Sequence, residues 1–308
     1  MAPSQNFDPS ALSILAFYSN EGLVRYKAVN GQLVSQEWIC RVQGNWYFRR
    51  AHISPDGRWV YMMFHADTVA IDLASHKWHW LARAKREESG VITSLYELKW
   101  SPDSRFLLGG QIPEPITDLT LFSPSGSKPR LLAEGTILTF GWYPDSRAVW
   151  YAMKKSEQGK AVWYKRALTR GAPQRLTPQE QRTICSGWDF LPPAHRYFPL
   201  PECSVPYTPY TADRSMRVLN FHFADGTPAL IETRQGKIYR LDPPSTVKYP
   251  TVRDISADKQ WALVQCNDWE YYAVHLTTGQ WRRVLGSLRW GDSLIRVQFA
   301  QSARLLGW

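Results

Sequence analysis

Short, almost continuously apolar runs recur along the chain, each opened by a turn and each preceded by a segment that alternates apolar with polar positions. The runs are Trp59 to Phe64, Phe106 to Leu108, Ala148 to Met153 and Trp261 to Val264, while Ile295-Arg296-Val297-Gln298-Phe299 shows the alternation. A short apolar run bounded by turn signals predicts a strand buried on both faces. The turn itself repeats as Ile53-Ser54-Pro55-Asp56-Gly57-Arg58, Trp100-Ser101-Pro102-Asp103-Ser104-Arg105 and Trp142-Tyr143-Pro144-Asp145-Ser146-Arg147. Worn copies begin at Phe7, Phe190, Tyr210, Ile255 and Phe299. Ser-Pro-Asp-Gly suits a type I turn, because Pro presets φ at the second position, Ser bonds the backbone from the first and Gly fits the fourth. Each copy therefore predicts a hairpin corner.

Corner prolines or their equivalents are spaced by 46, 47, 42, 48, 20, 45 and 44 residues from position 9 to position 301. A period in the forties is that of one four-stranded propeller blade, and small sheets stacked face to face bury both sides of their inner strands while keeping edges short. No segment reads as a helix. After a corner and its strand, two more strands follow in most copies: Thr68 to Leu73 and Lys77 to Leu81, Leu119 to Phe122 and Pro129 to Leu132, Ala161 to Ala167 and Gln174 to Leu176. The phrase Trp-Ser-Pro-Asp-Ser-Arg with its apolar strand resembles the repeat of TolB-type β-propellers, and the resemblance covers nearly the whole chain. That family holds scaffolds, partner-binding modules, gating domains and polysaccharide lyases, so the resemblance implies a fold and leaves the function open.

The expected fold is all-β: a single β-propeller over residues 1–308, with four-stranded antiparallel blades. Leu12 to Tyr18, Leu23 to Val29 and Leu33 to Ile39 form a blade lacking its first strand, and Ile295 to Phe299 is a first strand lacking a blade. The C-terminal strand is expected to complete the N-terminal blade. Arg304 to Trp308 reads as a second strand competing with Leu12 to Tyr18. Six prolines between Pro192 and Pro209 exclude a central strand within 191–209. The 20-residue interval there favours six blades, with seven as the alternative.

One propeller uses up a chain of 308 residues. No Gly-x-Ser-x-Gly elbow is present, and neither a signal peptide nor a membrane span is visible, so a cytoplasmic protein without membrane insertion is expected. Cys40 and Cys266 read as buried strand thiols. Cys185 and Cys203 flank the Pro-rich segment and would bridge only in an oxidising compartment.

Charge adds a candidate surface. The chain carries a formal +10, and Arg147 to Arg182 holds nine basic residues against Glu157 and Glu180, interleaved with Trp150, Tyr151, Trp163 and Tyr164. Lys154, Lys155, Lys160, Lys165, Arg166 and Arg170 are the partner-binding candidates, for an acidic protein face or an anionic polymer such as nucleic acid or an acidic polysaccharide. An ordinary solvated rim with aromatics buried by strand alternation explains the same pattern. Most of the fifteen tryptophans read as core, with Trp46, Trp269 and Trp290 the candidates for exposure. His76 and His79, three apart in one strand, face opposite ways and cannot chelate together. His52, His195 and His222 are the residues from which a central site would be assembled. Asp56, Asp103, Asp145, Asp213 and Asp258 read as turn residues, and Asp268 and Glu270 as loop residues. No catalytic residue, metal site or cofactor is expected. The reading is a non-catalytic binding module or scaffold subunit with a protein partner, and its rivals are a lyase-like enzyme acting on an acidic polysaccharide and a nucleic-acid binder.

Overall fold

In the computed structural model, the described residues are 7–18, 21–42, 48–64, 67–83, 85–86, 92–112, 116–154, 160–169, 171–185, 210–211, 213, 215–219, 228–267, 269–286, 293–303 and 305–306. They fold as an all-β propeller of four-stranded antiparallel blades. The described residues of Met1–Asn45 and Tyr207–Trp308 form one compact unit and those of Trp46–Trp188 the other.

In the Trp46–Trp188 unit the second blade runs Phe48–Ile53, Trp59–Phe64, Asp67–Asp72 and Trp78–Ala82. The third runs Ile92–Trp100, Leu107–Ile112, Ile116–Phe122 and the start of Arg130–Trp142. Sequence reading separates Pro129 to Leu132 from the strand that opens the next blade, but the chain makes one thirteen-residue strand of them. Its first half pairs with Ile116–Phe122 and its second half with Ala148–Lys154, so two blades share one continuous edge. Val162–Ala167 and Gln174–Arg175 complete the fourth blade. Within the charged loop after Ala82, Lys85–Arg86 pairs with Ile92–Thr93.

The strands after the corners are buried throughout most of their length. Val60 to Phe64 and Ala148 to Ala152 are buried at every position, as two-sided sheet packing requires. Tyr61, Met63 and Ala70 pack with Leu95, Leu98 and Leu107 across the second and third blades. Leu108, Leu119 and Leu132 pack with Phe140, Val149 and Tyr151 across the third and fourth.

The corners also tie blade to blade. Ser54 Oγ donates to Asp56 Oδ1 (2.5 Å) and accepts the Trp59 N–H (2.8 Å), while the Gly57 N–H returns to Ser54 O at 2.8 Å. Ser101 repeats these bonds with Asp103 and Phe106. The fourth corner position is left-handed in each sharp copy: φ is 72° at Gly57, 64° at Ser104 and 58° at Ser146. Serine tolerates that conformation poorly, yet its hydroxyl gains a use there. Ser104 Oγ accepts the Asp56 N–H (2.8 Å) and Ser146 Oγ accepts the Asp103 N–H (3.0 Å), each from the preceding blade's corner. The anchor tryptophans run a parallel series: Trp100 Nε1–H donates to His52 O (3.2 Å) and Trp142 Nε1–H to Lys99 O (2.9 Å).

In the other unit, Ser293–Phe299 pairs antiparallel with Leu12–Tyr18, followed by Gly22–Val29 and Gln32–Arg41, so the C-terminal strand does complete the N-terminal blade. Numbered among the described blades, the fifth holds Tyr210–Thr211, Met216–Leu219, Ala229–Thr233 and Ile238–Leu241, and the sixth Thr251–Ile255, Trp261–Cys266, Glu270–His275 and Trp281–Leu285. The final strand corrects the sequence reading. Leu305–Leu306 does not compete for Leu12–Tyr18; it pairs with Tyr210–Thr211 of the fifth blade. On the way it bonds the sixth-blade corner, through Ala257 N–H to Gln301 O (3.0 Å) and Ala303 N–H to Ile255 O (2.7 Å). Lys259, at φ 59° in that corner, ion-pairs with Asp213 of the fifth, replacing the Ser-to-backbone link of the other unit by a charged one.

A helix was not expected, but Pro178–Cys185 is α-helical. Thr177 and Glu180 form a reciprocal capping box, with Glu180 N–H to Thr177 Oγ1 at 3.2 Å and Thr177 N–H to Glu180 Oε2 at 2.8 Å, and Pro178 occupies the first helical position. The Phe190 corner copy and the whole Pro-rich segment 191–209, Cys203 included, lie outside the described residues, and with them the choice between six and seven blades. Of the thiols, Cys266 is buried but Cys40 only half-buried; burial raises the pKa of both, that of Cys266 to about 12. His76 sits at φ 61° in the turn before Trp78–Ala82, so it does not share a strand with His79.

Candidate functional site

The corner carboxylates are committed to structure. Asp56, Asp103, Asp213 and Asp258 each accept a Ser or Thr hydroxyl and a backbone N–H within the turn, and Asp145 accepts the Arg147 N–H at 3.0 Å. Glu270 takes Arg283, Asn267 and the Tyr272 hydroxyl. Among the described residues no group of three or more His, Cys, Asp and Glu could hold a metal ion. His52 stacks on Tyr61 at 5.3 Å between centroids; His195 and His222 lie outside the described residues.

The fourth blade presents the candidate basic residues in a specific order. In Val162–Ala167 successive side chains alternate between faces, so Lys165 and Arg166 point opposite ways. Lys165 pairs across to Trp150 and sets its ammonium 4.6 Å from the Tyr143 ring centre. On that face Trp150 and Trp163 stack at 5.6 Å. Burial, with Glu180 and Asp145 nearby, pushes the Tyr143 hydroxyl up to about 12. Lys154 is half-buried at the end of its strand and Lys160 exposed. Lys155 and Arg170 lie outside the described residues. Of the residues singled out by charge, Lys165 and Arg166 are therefore divided between two faces by strand alternation.

Arg166 takes the other face, where it lines a cleft of about 450 Å³ with Leu131, Leu132, Ala133, Glu134, Tyr151, Met153, Tyr164 and Pro173. The cleft lies where the outer strand of the third blade parts from the fourth. Its floor is the stacked pair Tyr151 and Tyr164, 5.5 Å apart and 24° from parallel. Arg166 donates from Nη1 to the Leu132 carbonyl. Burial raises the Tyr151 hydroxyl's pKa, the Arg166 charge opposes the rise and Tyr164 adds to it, which puts both groups within electrostatic reach of Tyr151. Tyr164 and Tyr151 are marked in the sequence only as alternating aromatics, and Leu131, 45% exposed, breaks the outward-polar pattern of its strand. The charge count finds Arg166 but not the cleft, since the cleft depends on a strand shared by two blades.

Exposed aromatics are partly those expected. Trp269 is 47% exposed at φ 73°, and Trp78, not singled out by the sequence, is 48% exposed; Trp46 and Trp290 lie outside the described residues. No helix among the described residues is long and apolar enough to cross a membrane.

No protein-family profile and no curated protein sequence matches the chain. Among solved structures it is similar to TolB from Acinetobacter baumannii, at 12% identity and a TM-score of 0.49 over 94% of this chain and 66% of that one. It is also similar to a putative TolB from Agrobacterium tumefaciens, at 14% identity and TM-score 0.41 over 89% of this chain and 88% of that one. A putative 6-phosphogluconolactonase from Bacteroides uniformis ATCC 8492 shows 11% identity and a TM-score of 0.39, covering 94% and 100%. These likenesses are distant and concern the fold; none speaks to what the chain does.

Proposed function

We propose that the chain is a non-catalytic binding module that engages a protein partner through its fourth blade, using the exposed Lys160, the half-buried Lys165 and Lys154, and the cleft at Arg166. One observation carries the reading: Arg166 is a half-buried guanidinium whose only hydrogen bond among the described residues is to a neutral carbonyl, in a region that is basic overall. A cation lining a cleft with no ion pair to a carboxylate among the described residues, Glu134 on the same wall included, is poised to gain one from outside. The corner carboxylates, by contrast, are used up in turns, which favours binding over acid–base chemistry as the work of this surface.

The test is affinity capture from native-host extract with the parent and with Lys160→Glu/Lys165→Glu. The expected result is a stoichiometric partner whose recovery falls at least about fivefold in the double variant and declines as salt is raised from about 50 to 300 mM. Recovery unchanged by the charge reversals, or depolymerisation of an acidic polysaccharide by the purified protein, contradicts the proposal.

A further inference from the structure

We infer that the Arg166 cleft is a carboxylate-reading site, which takes an acidic side chain flanked by a large apolar residue from an extended segment of the partner. The inference rests on the binding-module reading and specifies what the module recognises.

Three features converge on it. A guanidinium offers five N–H donors in a rigid fork that fits a carboxylate, and Arg166 spends one of its nitrogens on Leu132 O. Tyr151 and Tyr164 line the same space as a stacked pair, so their rings are held by packing. Tyr164, the less buried of the two, carries the hydroxyl assigned here as a donor to an anion that Arg166 has drawn in. The remaining wall is apolar: Leu131, Leu132, Ala133, Met153 and Pro173. An amphipathic ligand with one negative charge satisfies both halves.

The same lining argues against nucleic acid. Glu134 on the wall opposes any anion, and a polyanion most, because only one of its charges can be placed at Arg166. Binding a nucleic-acid backbone draws on several cations along one track, whereas Lys165 and Arg166 project to opposite faces. At about 450 Å³ the cleft holds one or two side chains, a peptide motif rather than a strand of nucleotides.

The probe is a fluorescein-labelled acetyl-Gly-Leu-Glu-Phe-Gly amide, with its Gln counterpart as the neutral control, titrated by fluorescence anisotropy against the whole protein. The Glu peptide is expected to bind at least about tenfold tighter than the Gln peptide, the size of one charge-assisted hydrogen-bond set. Arg166→Met abolishes that difference. Tyr164→Phe, which keeps the ring stack and so the fold, reduces it about threefold. Equal affinity for the two peptides, or a difference that survives both substitutions, overturns the assignment, as does displacement of the Glu peptide by a short oligothymidylate. Equal peptide affinities beside a partner still lost on reversing Lys160 and Lys165 remove the cleft and leave the binding module; failure of both experiments removes the module as well.

Discussion

At the scale of single residues, polar side chains tie one corner to the next, and serine occupies left-handed backbone to do it. Ser104 incurs the left-handed cost of about 1–2 kcal/mol and offsets it through the Asp56 N–H. Ser104→Ala keeps the strain and loses the bond, so urea unfolding is expected to show about 1–2 kcal/mol less stability. Ser104→Gly loses the bond but releases the strain and should fall nearer the parent; equal losses in the two variants contradict the role given to the hydroxyl. Close approach sets a second constraint at Gly141, where an added Cβ would meet the Trp150 ring at 2.4 Å. Gly141→Ala is expected to cost about 1–3 kcal/mol, the range for overpacking.

Two aspartates give opposite pH signatures. Burial raises Asp72, but the Arg58 guanidinium and the N–H groups of Ala74 and Ser75 outweigh it and hold the carboxyl at about 2. Its contribution is present above the unfolded value of about 3.9 and is lost as pH falls through the folded one. Asp254 is fully buried, and burial pushes it up to about 6 against the opposing pull of Arg296, Ser302 and the Phe299 and Ile255 N–H groups. Because its folded value lies above the unfolded one, its contribution is complete below about pH 4 and lost as pH rises through 6, on the order of 3 kcal/mol. Denaturant unfolding at pH 4.5 and 7.5 reads this directly. Asp254→Asn is expected to flatten the dependence in that window, and an unchanged profile contradicts the burial argument.

At the scale of elements, the C-terminal segment is the piece with the most consequences. Asp254 accepts the Phe299 N–H (2.9 Å) and the Ser302 hydroxyl (2.7 Å), so the residue that titrates also holds the chain as it leaves the N-terminal blade for the fifth. Removing residues 300–308 is expected to leave the Ser293–Phe299 pairing but unseat the sixth-blade corner, with hydrogen-exchange protection lost at Ala257 and at Tyr210–Thr211. Protection unchanged at those amides contradicts the latch. Most elements were legible: the corners, the strands after them and the pairing of the chain's two ends follow from the Pro-Asp repeat and two-sided burial. What was not legible had local causes. Thr177-Pro178-Gln179-Glu180 is a capping box overlooked because a propeller period does not call for a helix. Arg130–Trp142 looked like two strands because polar Glu134 and Gly135 interrupt the apolar pattern, and one long strand accommodates them by serving two blades. Leu305–Leu306 found its partner in a blade remote in sequence, which no local pattern encodes.

At the scale of the whole molecule, the fold is that of an all-β propeller and its function is argued from one blade. The charge of Arg147 to Arg182 was visible in the sequence; its division between faces and the cleft at Arg166 were not, since both arise from register and blade geometry. The most direct measurement is site-specific photocrosslinking in the native host, with a benzoylphenylalanine placed at Leu131 on the cleft, at the exposed Lys160 ahead of Val162–Ala167, and at Thr277 on an exposed sixth-blade turn as control. A discrete protein adduct from the first two positions and none from the third is the predicted result. The same adducts from all three, or none from any, would contradict a binding module that works through its fourth blade.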